Sequence, residues 1–301
     1  MEVWDRYASL VDDPAAFREA AERPLPTVLR VNPIKTTPER VRTAFRADGI
    51  AAESRDWNDH CIEVDTDTPG RTWPYQHGWV HGQEEVSQLP ATLFSFAPGD
   101  VVVDLAAAPG GKTTQIAGLL DTEGTVIAND VNLGRLTALR SNADRLGVTN
   151  AIVTNRDGRQ FSLDRFDVDA IDHVLVDAPC SGEGTVRKGG PQPAADETSI
   201  AGLGPVQRAL LGRAVEMTRP GGTVVYSTCT FAPEENEAVI DAVLDDGRCT
   251  VVPIDPGLPG DPGVTEWDGA TYDPAVRRAR RYYPHRHDTG GFFCAKLEVI
   301  A

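Results

Sequence analysis

From Val101 onward, short β-branched runs alternate with stretches in which apolar residues recur every three or four positions. VVVD (101–104) predicts a buried strand, followed by a glycine-rich turn and a helix over 113–120. TVIAND (125–130) predicts the next strand, and Leu136, Leu139, Ala143 and Leu146 fall on one face of the helix after it. AIVTN (151–155) and HVLVDAP (173–179) predict two more strands. A helix over 205–218 carries Val206, Leu210, Ala214 and Met217 on one face, and strand GTVVYSTC (222–229) follows. A further helix is expected to open at Pro233, where proline is tolerated and Glu234, Glu235 and Glu237 suit the helix dipole as helix-start acids. Repeated β-α units with such short apolar strands predict an α/β fold, a mainly parallel, doubly wound sheet covered on both faces. Ligands of such sheets sit beyond the carboxyl ends of the strands.

The first eighty or so residues follow another pattern. They are rich in Arg, Pro and Asp, with one helix expected over Pro38–Asp48 after the extended TVLRVNP. This predicts a small α+β domain, residues 1–78, ahead of a larger one, residues 79–301, with the boundary between Thr68 and His81. The segment 187–204 (RKGGPQPAADETSIAGLG) is too polar and too rich in Gly and Pro for a core and predicts a loop.

Composition narrows the class. The 301 residues suffice for one large core and a small one. No apolar run approaches the roughly 20 residues that cross a bilayer, and MEVWDRYASL lacks the basic start and apolar stretch of a secretion signal. Cys61, Cys180, Cys229, Cys249 and Cys294 lie far apart, without Cys-x-x-Cys or zinc-like spacing. His285 and His287 lack a third metal ligand. The expectation is a cytoplasmic monomer with reduced thiols and no metal.

A formal charge of −16 opposes phosphate binding at long range. Yet Lys35, Lys112, Lys188 and Lys296 are the only lysines, and every other cation is arginine. Acidic, lysine-poor composition is the pattern of proteins that work in concentrated salt. There the Debye length falls to about 3 Å at 1 M, and binding of an anionic partner would rest on short contacts.

DLAAAPGGKT (104–113) joins the first strand of the sheet to its helix. Gly110 and Gly111 let the backbone approach a ligand, and the helix start offers free N–H groups. The spacing is neither G-x-G-x-x-G nor a Walker loop, so phosphate is not indicated. Asp130 ends the next strand, placed to grip a ribose diol, and Asp157 follows the third, placed to accept from an adenine amino group. A glycine turn with two such acids points to an adenosyl cofactor; the plainer alternative makes both acids helix caps.

DAPCSGEG (177–184) and YSTCTFAPEENE (226–237) close two later strands, so Asp177, Cys180 and Cys229 are expected around one pocket. Cytosine C5 is a poor nucleophile until a thiolate adds to C6. That chemistry needs a cysteine of lowered pKa, an acid at ring N3 and a base for the C5 proton. The base must also leave its stack. Cys61, Cys249 and Cys294 read as core residues.

In this order and register, DLAAAPGGKT, DAPCSGEG and YSTCTFAPEENE resemble the NOL1/NOP2/Sun family of RNA cytosine-C5 methyltransferases. VLRVNP (28–33) and GGFFCAKL (290–297) extend the likeness over nearly the whole chain. The resemblance implies a Rossmann-like methyltransferase domain dependent on S-adenosylmethionine, preceded by a small RNA-contacting domain. It implies that Ala106, Ala107, Ala108, Pro109, Gly110, Gly111, Lys112, Asp130, Asp157 and Asp177 bind the cofactor. It makes Cys229 the nucleophile and Cys180 the group assisting release, with Asp177 also at N3 and Lys112 near the reacting centre. Ala106 stands where many members have cysteine.

For RNA contact the dense run of arginines and tyrosines over 277–283, with His285, Arg286 and His287, is the first candidate. Arg30 and Arg187 are weaker ones. A tRNA is favoured over ribosomal RNA by family analogy. The competing readings are a DNA cytosine methyltransferase with Cys180 as nucleophile, and a non-catalytic RNA-binding or assembly factor that kept the fold.

Overall fold

Four short apolar runs pair in parallel. Val101–Asp104 lies between Thr125–Asn129 and the Ile171–Asp177 strand, and Ala151–Thr154 pairs with the far side of Thr125–Asn129. Val102, Val103, Val126, Ile127, Val174 and Leu175 are fully or nearly fully buried, as strands covered on both faces require. The Leu133–Leu146 helix buries Leu136, Leu139, Ala143 and Leu146, the four residues its periodicity singled out. Asn132 caps its start by accepting from the Arg135 N–H, and Gly147 ends it at φ +76°. This is the α/β, Rossmann-like arrangement expected of a methyltransferase.

The structure, a computed structural model, describes residues 3–121, 123–166, 168, 171–189 and 197–300. It divides into two compact units. One comprises Met1–Leu25, Val176–Asp255 and Pro259–Ala301; the other comprises Pro26–Leu175 and Pro256–Leu258. The Ile171–Asp177 strand contributes its first five residues to the second unit and its last two to the first.

The second unit also carries an antiparallel sheet in the order Ala52–Arg55, Asn58–Val64, Val28–Val31, Val80–Gly82. The Pro38–Ala47 helix, capped by the Thr37 side chain, buries Val41 and Phe45 in a core with Leu29, Ile62 and Val80. The first unit pairs Thr218–Thr228 antiparallel with Phe292–Val299, which in turn pairs with Arg280–Tyr282 and with Cys249–Val252. Among the described residues no helix is long and apolar enough to cross a membrane.

Several expectations are corrected. The N-terminal stretch holds two further helices, Val3–Tyr7 and Pro14–Glu22. Trp4, Tyr7 and Phe17 pack there with Ile200, Phe231 and Tyr283 of the same unit. Burial of Ile200 in that cluster also explains why the helix placed at 205–218 starts eight residues earlier, spanning Glu197–Met217 with Pro205 inside it. Of the loop expected over 187–204, residues 190–196 lie outside the described residues. Pro233 starts a turn, and the helix begins at Glu237. The side chain of Asn236 accepts from Thr228 Oγ1 at 2.5 Å and donates to the Thr230 carbonyl at 3.1 Å, which holds the turn out of helical geometry.

Candidate active site

In the second unit, the turn after Val101–Asp104 delivers the Gly111–Leu119 helix. Gly110 sits at φ +101° with its α-carbon against Leu139, where a Cβ would come within 3.1 Å of Cγ and 3.3 Å of the backbone. Only glycine fits there without strain. The Ala108–Pro109 peptide is cis. Asp104 is buried and accepts from Thr113 Oγ1 at 2.6 Å, tying the strand end to the helix. Asp130, 3% exposed, accepts from the Ala108 N–H at 3.1 Å through one oxygen and from the Asn132 N–H at 2.8 Å through the other. A carboxylate oxygen has two acceptor sites, so each still has capacity for a hydroxyl. Arg135 donates to the Ala108 carbonyl and stands 3.8 Å from Asp130.

These residues fit an adenosyl cofactor. The turn is shaped by a left-handed glycine, a helix opens directly after it at Gly111, and a carboxylate with spare acceptor sites lies at a strand end. Asp157 is more committed. It accepts from the Arg159 N–H at 3.0 Å and from Arg159 Nη2 at 2.5 Å, and this arginine holds its carboxyl below the usual range. The cap alternative describes Asp157 well; any adenine contact must be shared with Arg159.

In the first unit, Asp177, Cys180 and Cys229 come together around two adjoining turns. The Ala178 N–H donates to the Ser227 carbonyl at 2.9 Å, and Ser227 Oγ donates to Asp177 Oδ1 at 2.7 Å. The two sulfurs, both half-buried, lie 3.3 Å apart. The hydrogen bond with Cys229, burial, and the charges of Cys229 and Glu235 push the Cys180 thiol well above its usual range. A thiol held protonated beside a second sulfur can donate to it. The arrangement keeps the Cys180 thiol protonated within hydrogen-bond reach of the Cys229 sulfur.

The side chains that hold these turns went unrecognised in the sequence. Glu235 accepts from the Ser181 N–H at 3.0 Å and from Gln207 Nε2 at 2.7 Å, and Gln207 also donates to the Pro179 carbonyl. Tyr226 donates to the Glu235 carbonyl at 2.6 Å. Ser181 and Thr230 share a hydrogen bond of 2.8 Å, and Thr230 donates to Glu183 at 3.0 Å. Burial raises the Glu183 carboxyl above its ordinary range. Glu235 and Glu237, both fully buried, are more than helix-start acids, while Glu234 pairs with Arg6 at 2.6 Å. The run of acids in PEENE was visible, but its partners come from distant segments, and nothing near Gln207 marks it.

The arginine-rich candidates are redistributed. Arg281, 2% exposed, donates to Glu237 at 2.6 Å, and Tyr282 and Tyr283 are buried. None of these three can stack a base. Arg187 is buried, donating to the Arg23, Pro24 and Thr289 carbonyls. Arg30, 2% exposed, donates to Gln83 at 2.8 Å and to Thr114 Oγ1 at 2.9 Å. Arg277 and Arg278 are exposed, Arg280 is half-buried, and Arg286 pairs with Asp12 and Asp261. Cys61, Cys249 and Cys294 are buried, as core residues should be.

Comparison with known proteins agrees with the motifs. A family described as 16S rRNA methyltransferase RsmB/F matches residues 91–298. The 25S rRNA (cytosine-C(5))-methyltransferase nop2 of Schizosaccharomyces pombe is 37% identical over 300 residues, covering 97% of this chain and 49% of its own length. The tRNA (cytosine(49)-C(5))-methyltransferase of Pyrococcus abyssi is 34% identical over 299 residues, covering 97% of this chain and 94% of its own. A solved methyltransferase homologue from Pyrococcus horikoshii is 33% identical with a TM-score of 0.87, covering 98% of this chain and 94% of that one. The chain spans about half the length of the nop2 relative, and 36% of the human 28S rRNA enzyme it also matches. With more than half of its residues inside the profile and relatives of this identity along its length, the chain belongs to the RsmB/F family, and the resemblance to NOL1/NOP2/Sun enzymes is borne out.

Proposed function

We propose that the protein methylates carbon 5 of cytosine in RNA through a covalent bond between Cys229 and C6, with Cys180 assisting release. The carrying observation is the sulfur pair 3.3 Å apart in which Cys180 is the thiol kept protonated. Attack by the Cys229 sulfur on C6 moves electron density to C5 and N3. Asp177, oriented by Ser227, is the acid to hold the N3 edge. Release breaks the Cys229–C6 bond once solvent water has taken the C5 proton, and a proton delivered to the departing sulfur favours that step. The partner thiol is within hydrogen-bond reach of that sulfur.

The residues to hold S-adenosylmethionine are Ala106 to Lys112, Asp130 and Asp157, with Asp177 as the further carboxylate that the family resemblance assigns to the cofactor, and Lys112 as the lysine it assigns to the chemistry. Bound there, the cofactor supplies an electrophilic methyl group for C5. Asp130 would hold the ribose by its remaining acceptor sites, and the backbone of the glycine turn would hold the amino-acid end.

The favoured substrate is tRNA, the substrate named for the Pyrococcus abyssi relative, whose match runs nearly the length of both chains. Ribosomal RNA is the other outcome; bisulfite sequencing of cellular RNA from a deletion strain distinguishes them. Five free thiols suit a reducing cytoplasm.

Substitution of each cysteine tests the assignment. Cys229→Ala should lower turnover by on the order of a thousandfold or more. Cys180→Ala should instead accumulate an RNA–protein adduct that survives a denaturing gel. An adduct in Cys229→Ala and none in Cys180→Ala would reverse the roles and overturn the reading.

A further inference from the structure

The second unit contains a cavity of about 280 Å³ lined by Arg30, Trp57, Asn58, His60, Gln115 and Leu119, among others. Its walls come from the antiparallel sheet and from the helix that opens with Gly111. At that size it lies near the lower end of small-ligand sites, which run from roughly 300 Å³ upward.

Arg30 is a buried cation without a counter-ion. Its Nε and Nη2 donate to Gln83, Thr114 and the Gly111 carbonyl, all neutral acceptors. No described carboxylate pairs with it, and Nη1 takes part in none of these bonds. The charge that acts on it is another cation, Arg145, whose guanidinium donates to the Tyr75 and Val80 carbonyls and to His81 Nδ1. Burial, then Arg145, lowers the Arg30 guanidinium to about 9. The carboxylate bonded to Trp57 is already engaged: Glu85 accepts from Trp57 Nε1 at 2.8 Å and forms an ion pair with Arg55 at 2.9 Å. A buried guanidinium with only neutral partners is costly unless something anionic joins it. In a chain of net charge −16, this region keeps two guanidinium groups without a carboxylate.

Trp57 supplies the second element. Its indole N–H is fixed by Glu85, so the ring is held at the cavity wall. Asn58 and His60 add hydrogen-bonding edges. An aromatic wall, amide and imidazole edges and an arginine are the complement of a nucleotide, a flat base joined to a phosphate.

We propose that this cavity binds one nucleotide of the substrate RNA, other than the cytosine that is methylated, with its base on Trp57 and its phosphate drawn towards Arg30. The inference rests on the reading of RNA as substrate. It gives Arg30, which also touches the Gly111 carbonyl of the cofactor turn, a ligand for its charge.

The test is fluorescence anisotropy of a labelled, unmodified tRNA transcript with the full chain at fixed salt. Trp57→Ala removes the stacking surface. Leu119→Glu, at a residue 45% exposed on the cavity wall, adds a negative charge without touching a buried group. Each should weaken RNA binding about fivefold or more, Trp57→Phe should bind within about twofold of the parent, and calorimetry with S-adenosylmethionine should report folded, cofactor-competent variants. If the parent binds RNA and both variants bind equally well, the cavity is not an RNA site, although RNA remains the substrate. If cytidine 5′-monophosphate binds the parent but not Trp57→Ala while RNA affinity is unchanged, the site takes a free nucleotide and the proposal fails. A parent that binds no RNA overturns the substrate reading and this one together.

Discussion

At Gly184 and Gly291 two backbones meet with no room for a side chain between them. The Gly291 N–H donates to the Gly184 carbonyl at 2.9 Å, and the Gly184 N–H donates to the Cys229 carbonyl at 2.8 Å. A Cβ on Gly291 would lie 2.2 Å from two ring carbons of Phe231, and one on Gly184 would lie 2.2 Å from the Gly291 carbonyl oxygen. Phe231 cannot retreat, because Trp4, Phe17 and Tyr283 rings surround it at centroid distances of 6.4, 5.2 and 5.9 Å. Two glycines thus hold the Cys229 turn through its backbone, which ties a packing constraint to the position of the proposed nucleophile. Gly291→Ala should cost about 1–3 kcal/mol or more in urea unfolding, the range of overpacked cores. Gly212→Ala provides the contrast, being helical with nothing within 4 Å of an added Cβ. It should be neutral or stabilise by up to about 1 kcal/mol. Equal midpoints for Gly291→Ala and the parent would show that the two backbones do not approach this closely.

The antiparallel sheet of the second unit shows how an element sets a residue's charge state. Arg30 and His81 are register partners on neighbouring strands, and Arg145 donates to His81 Nδ1 at 2.9 Å. Burial, then Arg30 and Arg145, pushes the His81 imidazole down to about 3. A folded pKa below the unfolded value of about 6.5 gives stability that is present above 6.5 and lost as pH falls towards 3, by at most about 1.4 kcal/mol per pH unit. Glu85 and Glu183, whose carboxyls are raised first by burial, act with the opposite sign. The informative quantity is therefore a difference: between pH 6.5 and 4.5, His81→Gln should lose less stability to urea than the parent does, and parallel slopes would refute a buried neutral imidazole. Strand and helix periodicity made the parallel sheet and the Leu133–Leu146 helix legible, and the thiol, aspartate and glycine motifs announced themselves by type and order. The arginine run did not reveal which members turn inward, because a cation's sequence neighbours say little about its distant partners. Had Arg280–Tyr282 been recognised as a strand, its alternation would have separated half-buried Arg280 from buried Arg281. The N-terminal helices were missed because each is short, and what stabilises them is the contact of Trp4, Tyr7 and Phe17 with residues roughly two hundred or more positions away.

Over the whole molecule, the interior and the surface should answer salt differently. The inward-facing ion pairs, such as Arg281 with Glu237, are shielded from solvent and exchange little with dissolved ions. The remaining excess of acids, net −16, lies largely at the surface, and its self-repulsion opposes the compact state. Exposed pairs such as Arg18 with Asp5 and Arg248 with Asp246 offset only part of it, since each is worth little in water. Screening removes repulsion that acts across many residues, while it removes only small attractions within single pairs. The balance predicts that salt stabilises the fold: the thermal midpoint, followed by circular dichroism, should rise by about 5 °C or more between low salt and molar potassium chloride. Adding lysines at exposed acidic positions should flatten that response, because it reduces the net charge without touching the core. A midpoint that stays level or falls as salt rises would mean that surface pairing, rather than excess charge, governs stability. In that case the arginine-dominated cations would be read as partners of local acids, and the inference of a high-salt habitat would have no physical basis.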